Sequence, residues 1–269
     1  ADNLTVTVSA GGISGKQEGT NFSDSLLVGH STTGTLSTAS GNTGVGIDAL
    51  DALTSGDNNV GIGFQAGSAI AGGSSNVIMG KQAGDAITSG GSNVAIGALA
   101  LSAAATNSNV GVGAYALHSV TGSSNVGVGQ NAGVYIAGGD FNICLGQLSG
   151  DNITSGSGNV VIGKADVSSA TADDQLSISD GEDGSVVWMT GDSSANVTFA
   201  AEVAAATLDI SGAIDIDGTS NLDAVDIDGA VQIDGTVTVG VDDTGLDVKF
   251  FGASAGAYGI YDQSENAFE

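Results

Sequence analysis

Short runs of alternating apolar residues recur along the first two thirds of the chain. Each run follows an asparagine or, once, a serine: the first and third positions after it hold mainly Val, Ile or Leu, and the fourth is always Gly. The asparagines are Asn42, Asn59, Asn76, Asn93, Asn109, Asn125, Asn142 and Asn159. Alternating β-branched residues that end at glycine are typical of a short strand leading into a bend. The pattern therefore predicts one short β-strand in each unit.

The spacing of the asparagines is nearly constant, with steps of 17, 17, 17, 16, 16, 17 and 17 residues, and Ser25 stands where a further unit would begin. About nine units thus occupy residues 25–170. The eleventh position after the asparagine is a further apolar column that includes Ala104. Asparagine suits a corner because it tolerates the left-handed backbone conformation and bonds its own turn. A fixed period is the signature of stacked repeats, so we predict a β-solenoid with one coil per unit.

The segment GVGQNAG at residues 127–133 resembles a glycine-rich turn that holds a nucleotide phosphate. GIGFQAG at residues 61–67 and IMGKQAG at residues 78–84 occupy the same place in other units. A dinucleotide-binding turn occurs once, between a strand and a helix. Because this segment has several relatives and no helical pattern lies between them, we predict a coil of the repeat and not a cofactor loop.

The second position after the asparagine indicates how the strands are covered. Strand side chains alternate between two faces, so a face in water would be polar at this position. Instead it holds small or apolar residues: Leu27, Gly44, Gly61, Ile78, Ala95, Gly111, Gly127, Cys144 and Val161. Strands that are non-polar on both faces are usually covered on both. We predict parallel copies packed side by side as an elongated homotrimer, with nine coils about 43 Å tall.

Composition and charge narrow the classes of function. The 269 residues include 45 Gly and no Pro, and 41% are hydrophobic, which is too many for a disordered chain. Four Lys and Arg stand against thirty Asp and Glu, giving a net charge of −26. Nucleic acids and anionic membranes are bound by clustered cations, so neither is an expected partner. No apolar run is long enough to predict a membrane-spanning helix.

Four segments carry a resemblance to known proteins. NNVGIGFQAGSAIAGGS at residues 58–74 resembles repeats in the heads of trimeric autotransporter adhesins and in phage tail fibres. NFSDSLLVGHSTTGTLS (21–37), QLSISDGEDGSVVWMTGDSS (175–194) and VGVDDTGLDVKFFGASAGAY (239–258) are similar to tail-fibre-type proteins of marine bacteriophages. The resemblance implies an elongated homotrimeric appendage of a virion. Its implied partners are other tail or baseplate proteins and a host cell-surface receptor.

The rest of the chain is predicted to be all-β as well. The repeat spacing stops after Thr171, and residues 171–207 are expected to form a β-hairpin connector in which Trp188 packs. Residues 208–240 repeat DISG, DIDG, DIDG and QIDG, which predicts a thin β-prism or triple β-helical shaft with Ile210, Ile216, Ile227 and Ile233 inward.

The two ends of the chain are assigned by the same reasoning. Residues 1–24 are expected to attach or cap the fibre, since a solenoid has an exposed strand edge to protect. Residues 241–269 are expected to form a small C-terminal β module, which the resemblance implies is truncated. No membrane-barrel anchor is expected in the last 30 residues, which favours a phage fibre over an autotransporter.

The shaft offers candidate calcium ligands in Asp215, Asp217, Asp226 and Asp228. Calcium takes six to eight oxygen ligands, and threefold stacking would bring up to twelve of these carboxylates onto one shaft. The spacing matches neither an EF-hand loop nor a calcium-binding glycine-rich nonapeptide. Solvated carboxylates on the outer face of the shaft are therefore the favoured interpretation, and no cofactor is required.

The remaining reactive side chains suggest no enzyme. Neither His30 nor His118 is expected to stand in register with a nucleophile, and Cys144 lies in a small apolar column, as a packed thiol does. Glycoside cleavage needs two placed carboxylates beside a sugar groove, and one Trp and four Tyr provide little aromatic wall for such a groove. The predicted function is structural: a virion fibre that supports host attachment, with a bacterial surface adhesin or extracellular filament subunit as the alternative.

Overall fold

A computed structural model describes residues 15–19, 22–28, 37–201, 203, 231–234, 248–251, 258–262 and 267–268. These residues contain β-strands and turns and no helix, so the predicted all-β class is confirmed for them. The chain divides into two compact units, Ala1–Ala205 and Ala206–Glu269. The four candidate calcium ligands, His30, most of the predicted shaft and residues 1–14 of the predicted cap lie outside the described residues.

The described residues of the first unit form fourteen strands. The first three are β1 (Gly15–Gly19), β2 (Phe22–Val28) and β3 (Ala39–Ser40). Each later coil then contributes one three-residue strand: β4 (Thr43–Val45), β5 (Val60–Ile62), β6 (Val77–Met79), β7 (Val94–Ile96), β8 (Val110–Val112), β9 (Val126–Val128), β10 (Ile143–Leu145) and β11 (Val160–Ile162). The unit ends with β12 (Leu176–Ser179), β13 (Val187–Gly191) and β14 (Val197–Phe199).

The strands of successive coils stack in one parallel sheet. From β2 through β4 to β12 each strand pairs with the strand of the next coil, and equivalent positions face each other, as Val60 faces Val77. The sheet ends in antiparallel pairs, β1 with β2 at one edge and, at the other, β12 with β13 and β13 with β14. This architecture confirms the predicted β-solenoid of about nine coils of 16 or 17 residues.

The second position of each strand from β4 to β11 points into the coil and is buried, as Ile78, Ala95 and Cys144 are. The interior is completed by residues at the seventh, eighth and eleventh positions. Ala104, assigned to the eleventh column from sequence, is exposed, and Ala105 is buried instead. The other 16-residue coil keeps its eleventh position buried, at Val120, so the change from Ala104 to Ala105 belongs to the coil that begins at Asn93.

In the interior, a large side chain in one column stands beside a glycine in the other, so the same space is not claimed by two large side chains. Leu117 occupies the eighth position of its coil, and a Cβ added to Gly127 in the next strand would lie 2.7 Å from its Cγ. The arrangement is reversed at Ile78, whose Cδ1 would lie 2.9 Å from a Cβ on Gly84. Glycine in the second column therefore reflects a leucine that fills the same space, which is how cores keep a constant packing density.

The repeated asparagines form a buried ladder rather than left-handed corners. Each is fully buried, and the positive φ belongs to the preceding residue, such as Asn58 at 57° and Ser75 at 62°. The Asn59 Nδ2 donates to Asn42 Oδ1 at 3.1 Å and to the Gly73 carbonyl of its own coil at 2.8 Å. The prediction that asparagine bonds its own turn is confirmed, whereas the left-handed assignment was wrong by one residue.

The ladder continues one step beyond the repeat seen in the sequence. Gln175 takes the place of asparagine, and its backbone N and Nε2 donate to Asn159 Oδ1 at 2.9 and 3.1 Å. At the other end, the Asn42 backbone N donates to Ser25 Oγ at 2.7 Å. No buried side-chain nitrogen or oxygen in the described residues lacks a hydrogen-bond partner.

The turn after β12 is built on one carboxylate. Asp180 accepts hydrogen bonds from the backbone N–H groups of Glu182, Asp183, Gly184 and Val186, which lowers its pKa to about 2. Beyond this turn, β13 and β14 form an antiparallel pair. Trp188, expected to pack, is 55% exposed, so the described residues do not bury it.

The second unit is described in part. Strands β15 (Val248–Phe251), β16 (Tyr258–Asp262) and β17 (Ala267–Phe268) form a three-stranded antiparallel sheet. Of the predicted shaft, residues 231–234 are described, and all four are exposed, with the Gln232 amide donating to Asp234 at 2.8 Å. The proposed inward orientation of Ile233 within a trimeric shaft stays a prediction.

Candidate assembly face and surface groove

The first and third positions of strands β4 to β11 form what we term the outer strand face. Their side chains point away from the coil interior, since the second position between them points inward. Of these sixteen residues only Thr43 is polar, and none is charged. Eight apolar members are more than one third exposed: Val45, Ile62, Met79, Ile96, Val128, Ile143, Leu145 and Ile162.

This face is unusual for a chain that carries a net charge of −26. Scattered exposed apolar residues are normal on soluble proteins, but a contiguous apolar patch marks an interaction surface. Here the apolar side chains are contiguous because each strand pairs in register with the next, as Ile96 pairs with Met79 and Val112. The coil covers one face of its strand and leaves the other exposed.

A neighbouring column behaves differently. The fifth position after the asparagine holds Ile47, Phe64, Lys81 and Lys164 among its members, so it mixes apolar and charged residues. Ile47 and Phe64 are 58% and 43% exposed. A column that accepts lysine is a solvated surface, which sets a boundary to the outer strand face.

A shallow groove of about 270 Å³ lies on another part of the solenoid. It is lined by residues of three successive coils: Tyr115, His118, Asn131, Val134, Tyr135, Leu148 and Asp151. These are the sixth, ninth and tenth positions of their coils. The groove therefore shares no residue with the outer strand face.

His118 has a fixed environment at one end of this groove. Its Nδ1 contacts Ser102 Oγ and lies 3.3 Å from the carbonyl oxygen of Leu99. Its ring meets the ring of Tyr115 edge to face, with centroids 5.5 Å apart and planes at 67°. The expectation that His118 has no nucleophile in register was wrong, because Ser102 occupies the same column one coil earlier.

A serine beside an imidazole invites comparison with the nucleophile and base of a hydrolytic site. A nucleophile and its base need a third group that orients the base. Among the described residues no carboxylate is hydrogen-bonded to the His118 ring; Asp85 acts on it only through charge. The contacts at Nδ1 instead hold the imidazole beside Tyr115.

Two acidic groups near the groove are perturbed. Burial first, and then the hydrogen bond and the charge of the Asp166 carboxyl, raise the pKa of Asp151 to about 6 against the opposing charge of Lys164. Burial also raises the pKa of Asp85, which its backbone hydrogen bond and His118 lower. The Asp151 carboxyl is therefore mainly ionised at pH 7 and becomes protonated as the pH falls through about 6.

The buried thiol agrees with its interpretation from sequence. Cys144 is fully buried at the second position of β10, between the Gly133 and Gly150 turns. Burial raises its pKa to about 12. A thiol in this state is a packing residue, since the reactive form is the thiolate.

The described residues show neither a metal-binding cluster nor a membrane-spanning helix. Within the described ranges no three His, Cys, Asp or Glu side chains lie close enough together to hold a metal ion. In that part of the chain there is also no helix with the length and apolarity to cross a bilayer. The candidate calcium aspartates of the shaft stay a prediction.

No model of a known protein family, no curated protein and no solved structure matches this chain.

Proposed function

We propose that this chain is a structural subunit of a homotrimeric fibre, held together through its outer strand face, and that the fibre is an appendage of a bacteriophage virion. The observation that carries the proposal is the contiguous, uncharged and exposed outer strand face of a strongly acidic chain. Covering this face removes its apolar side chains from water, which is the dominant favourable term in protein association.

Three copies fit this face better than an open assembly. Each coil from β4 to β11 contributes one strand to this face, and its first and third positions form two columns along the stack. Parallel copies can therefore turn the same face toward a common axis. Closed cyclic symmetry uses every face and leaves none for further growth. A trimer would carry three times −26, or −78, so the acidic groups would remain in solvent around an apolar centre.

The mechanical role follows from the bonding pattern. Every coil is joined to the next by strand hydrogen bonds and by the asparagine ladder, so load along the stack is shared among many parallel bonds. Such a rod would hold a host-recognition element away from the particle. The assignment to a virion rests on the resemblance of residues 58–74 and 175–194 to phage fibre segments.

The first experiment is light scattering in line with gel filtration on the full chain, in calcium and then in chelator. A mass of about three times 25.9 kDa with a large hydrodynamic radius would support the fibre. A compact monomer in both buffers would overturn the trimer. A trimer that dissociates only in chelator would support the predicted calcium sites of the shaft.

The place of the fibre is tested separately. Gold-labelled antibody against the purified chain should bind an appendage of purified virions by electron microscopy. Labelling of bacterial cell surfaces, with none on virions, would overturn the phage assignment in favour of an adhesin or filament subunit.

A further inference from the structure

Two tyrosines and one histidine of this protein line the groove. The chain has four Tyr and two His. The two tyrosines of the first unit, Tyr115 and Tyr135, both line the groove, and His118 lies beside them. The adjacent coils carry Leu99 and Asn131 where Tyr115 stands, so the repeat itself does not require an aromatic residue there.

The backbone beneath the groove is fixed by bonds between coils. The Asn131 N–H donates to the Ala114 carbonyl at 3.0 Å, and the Leu148 N–H donates to the Gln130 carbonyl at 2.9 Å. One coil edge thus places Tyr115, Asn131 and Leu148 in a row at the sixth position. The groove is formed before any ligand arrives, which lowers the entropic cost of binding.

The two rings differ in how they are held. Tyr115 is fixed by its edge-to-face contact with His118, which Ser102 and the Leu99 carbonyl hold in turn. Tyr135 is 61% exposed, so one of its faces is available to a ligand. An amphipathic ring with an open face provides apolar contact without losing its hydroxyl hydrogen bond.

The polar groups of the groove suit hydroxyl ligands. The Asn131 side chain has an amide donor and an acceptor, and the Asp151 carboxyl accepts two hydrogen bonds when ionised and donates one when protonated. Adjacent hydroxyls of a sugar ring present both donors and acceptors, while the C–H face of the ring is apolar. We propose that the groove lined by Tyr115, Tyr135, Asn131 and Asp151 binds one ring of a neutral saccharide.

Size and charge restrict the saccharide further. A groove of about 270 Å³ is below the range for drug-sized ligands and accepts one sugar ring with its neighbours in solvent. The net charge of −26 and the acidic Asp85 and Asp151 repel uronic and sialic acids. The groove is therefore specific for uncharged hexoses and N-acetylhexosamines.

This proposal is independent of the trimer. The groove and the outer strand face share no residue, so a single chain carries the complete site. Loss of saccharide binding with an intact trimer, or the reverse, would separate the two proposals.

Saturation-transfer NMR on the full chain tests the site with D-glucose, D-galactose and N-acetylglucosamine. A ligand this small is expected to bind with a Kd on the order of 1 mM. Transfer to the ring protons of at least one sugar should fall tenfold or more in Tyr135→Ala, and also in Asn131→Gly, which keeps the positive φ and deletes the amide. Phe64→Ala is the control, since it removes an aromatic ring that is 43% exposed and lies outside the groove.

Three results would overturn the proposal. The first is no transfer from any of the three sugars at concentrations of tens of millimolar. The second is equal loss in Tyr135→Ala and Phe64→Ala, which would indicate non-specific contact with aromatic rings. The third is binding of tetramethylammonium that Asp151→Asn abolishes, with no sugar binding, which would assign the two tyrosines and the carboxylate to a cation.

Discussion

Asn58 and Asn59 are adjacent in the chain and occupy opposite environments. Asn58 is exposed with a φ of 57°, whereas Asn59 is fully buried and uses its side chain for four hydrogen bonds. The Asn59 Nδ2 group donates one bond to Asn42 Oδ1 and one to the Gly73 carbonyl of its own coil. The Asn59 Oδ1 accepts the other two bonds, from the backbone N and the Nδ2 of Asn76. The same residue type thus serves the turn at one position and the ladder at the next.

Replacing Asn59 by Ala should destabilise the fold strongly. The change leaves the Gly73 carbonyl and the Asn76 amide without their partners inside the coil, at roughly 1–3 kcal/mol for each unsatisfied group. Urea unfolding should show a loss of about 3 kcal/mol or more. Asn58→Gly is the control and should be neutral or slightly stabilising, because glycine adopts a positive φ freely. Equal losses in both variants would contradict the ladder.

Gly113→Val should disrupt the stack. Gly113 has a φ of 134°, and an added Cβ would lie 2.5 Å from the Gly129 carbonyl oxygen of the next coil. Backbone strain and this contact together should cost about 3 kcal/mol or more and weaken trimer assembly. Gly138→Ala is the matched control, since a Cβ there meets nothing within 4 Å. An unchanged melting temperature and trimer mass in Gly113→Val would contradict the coil register that places Gly113 against Gly129.

Ile96→Glu should separate assembly from folding. Ile96 lies in the middle of the outer strand face and is 37% exposed, so a single chain tolerates the carboxylate, while a trimer would bury three of them around one axis. We expect a folded monomer by light scattering and circular dichroism. Ile47→Glu, at the column that also holds Lys81, should remain a trimer. If Ile96→Glu also remained a trimer, the assembly would use another surface.

The raised pKa of Asp151 makes a prediction about pH. A carboxyl whose pKa rises from 3.8 to about 6 on folding favours the folded state below pH 3.8, and this stabilisation is lost as the pH rises through 6. Asp151→Asn should therefore melt higher than the wild type at pH 7 and equally at pH 3.5. Glu182→Gln removes the same formal charge from an exposed turn, and it should not reproduce the difference between pH 3.5 and 7. A parallel response in both variants would indicate net charge alone.

Cys144 should report on unfolding of the coils. Its thiol is buried and its pKa is raised to about 12, so a disulfide reagent at pH 8 should react only after the coil opens. The reaction rate should rise with urea along the same curve as the loss of circular dichroism. Rapid labelling of the native protein would show that the interior of the coil at β10 is accessible.

The columns of the solenoid could be predicted because they depend on residue type at a fixed spacing. Val, Ile and Gly at positions one, three and four determine a strand and a bend whatever the rest of the coil contains. The direction of each column could not be predicted in the same way. The second position holds both Gly61 and Ile78, so residue type alone does not mark it as inward-facing. Its place in the interior depends on packing partners such as Leu50, which stands at the eighth position of the preceding coil.

The groove escaped prediction for a related reason. Tyr115 and Asn131 are sixth and Asp151 is ninth in three successive coils, so the repeat places them in neighbouring columns. The pattern does not show that these columns face outward and leave a groove between them. The contact of His118 with Ser102 was within reach of the sequence, since both are ninth in their coils.

The asparagine ladder also governs how the stack can change in evolution. Ser25 and Gln175 stand at its two ends. Between them, the asparagine of each described coil donates hydrogen bonds to the side-chain oxygen of the preceding coil and accepts the same bonds from the following coil. Duplication or deletion of a complete coil therefore leaves all of these bonds made and all columns in phase. The height of the rod can be inherited as a whole number of coils, each adding about 4.8 Å, without new residues at either terminus.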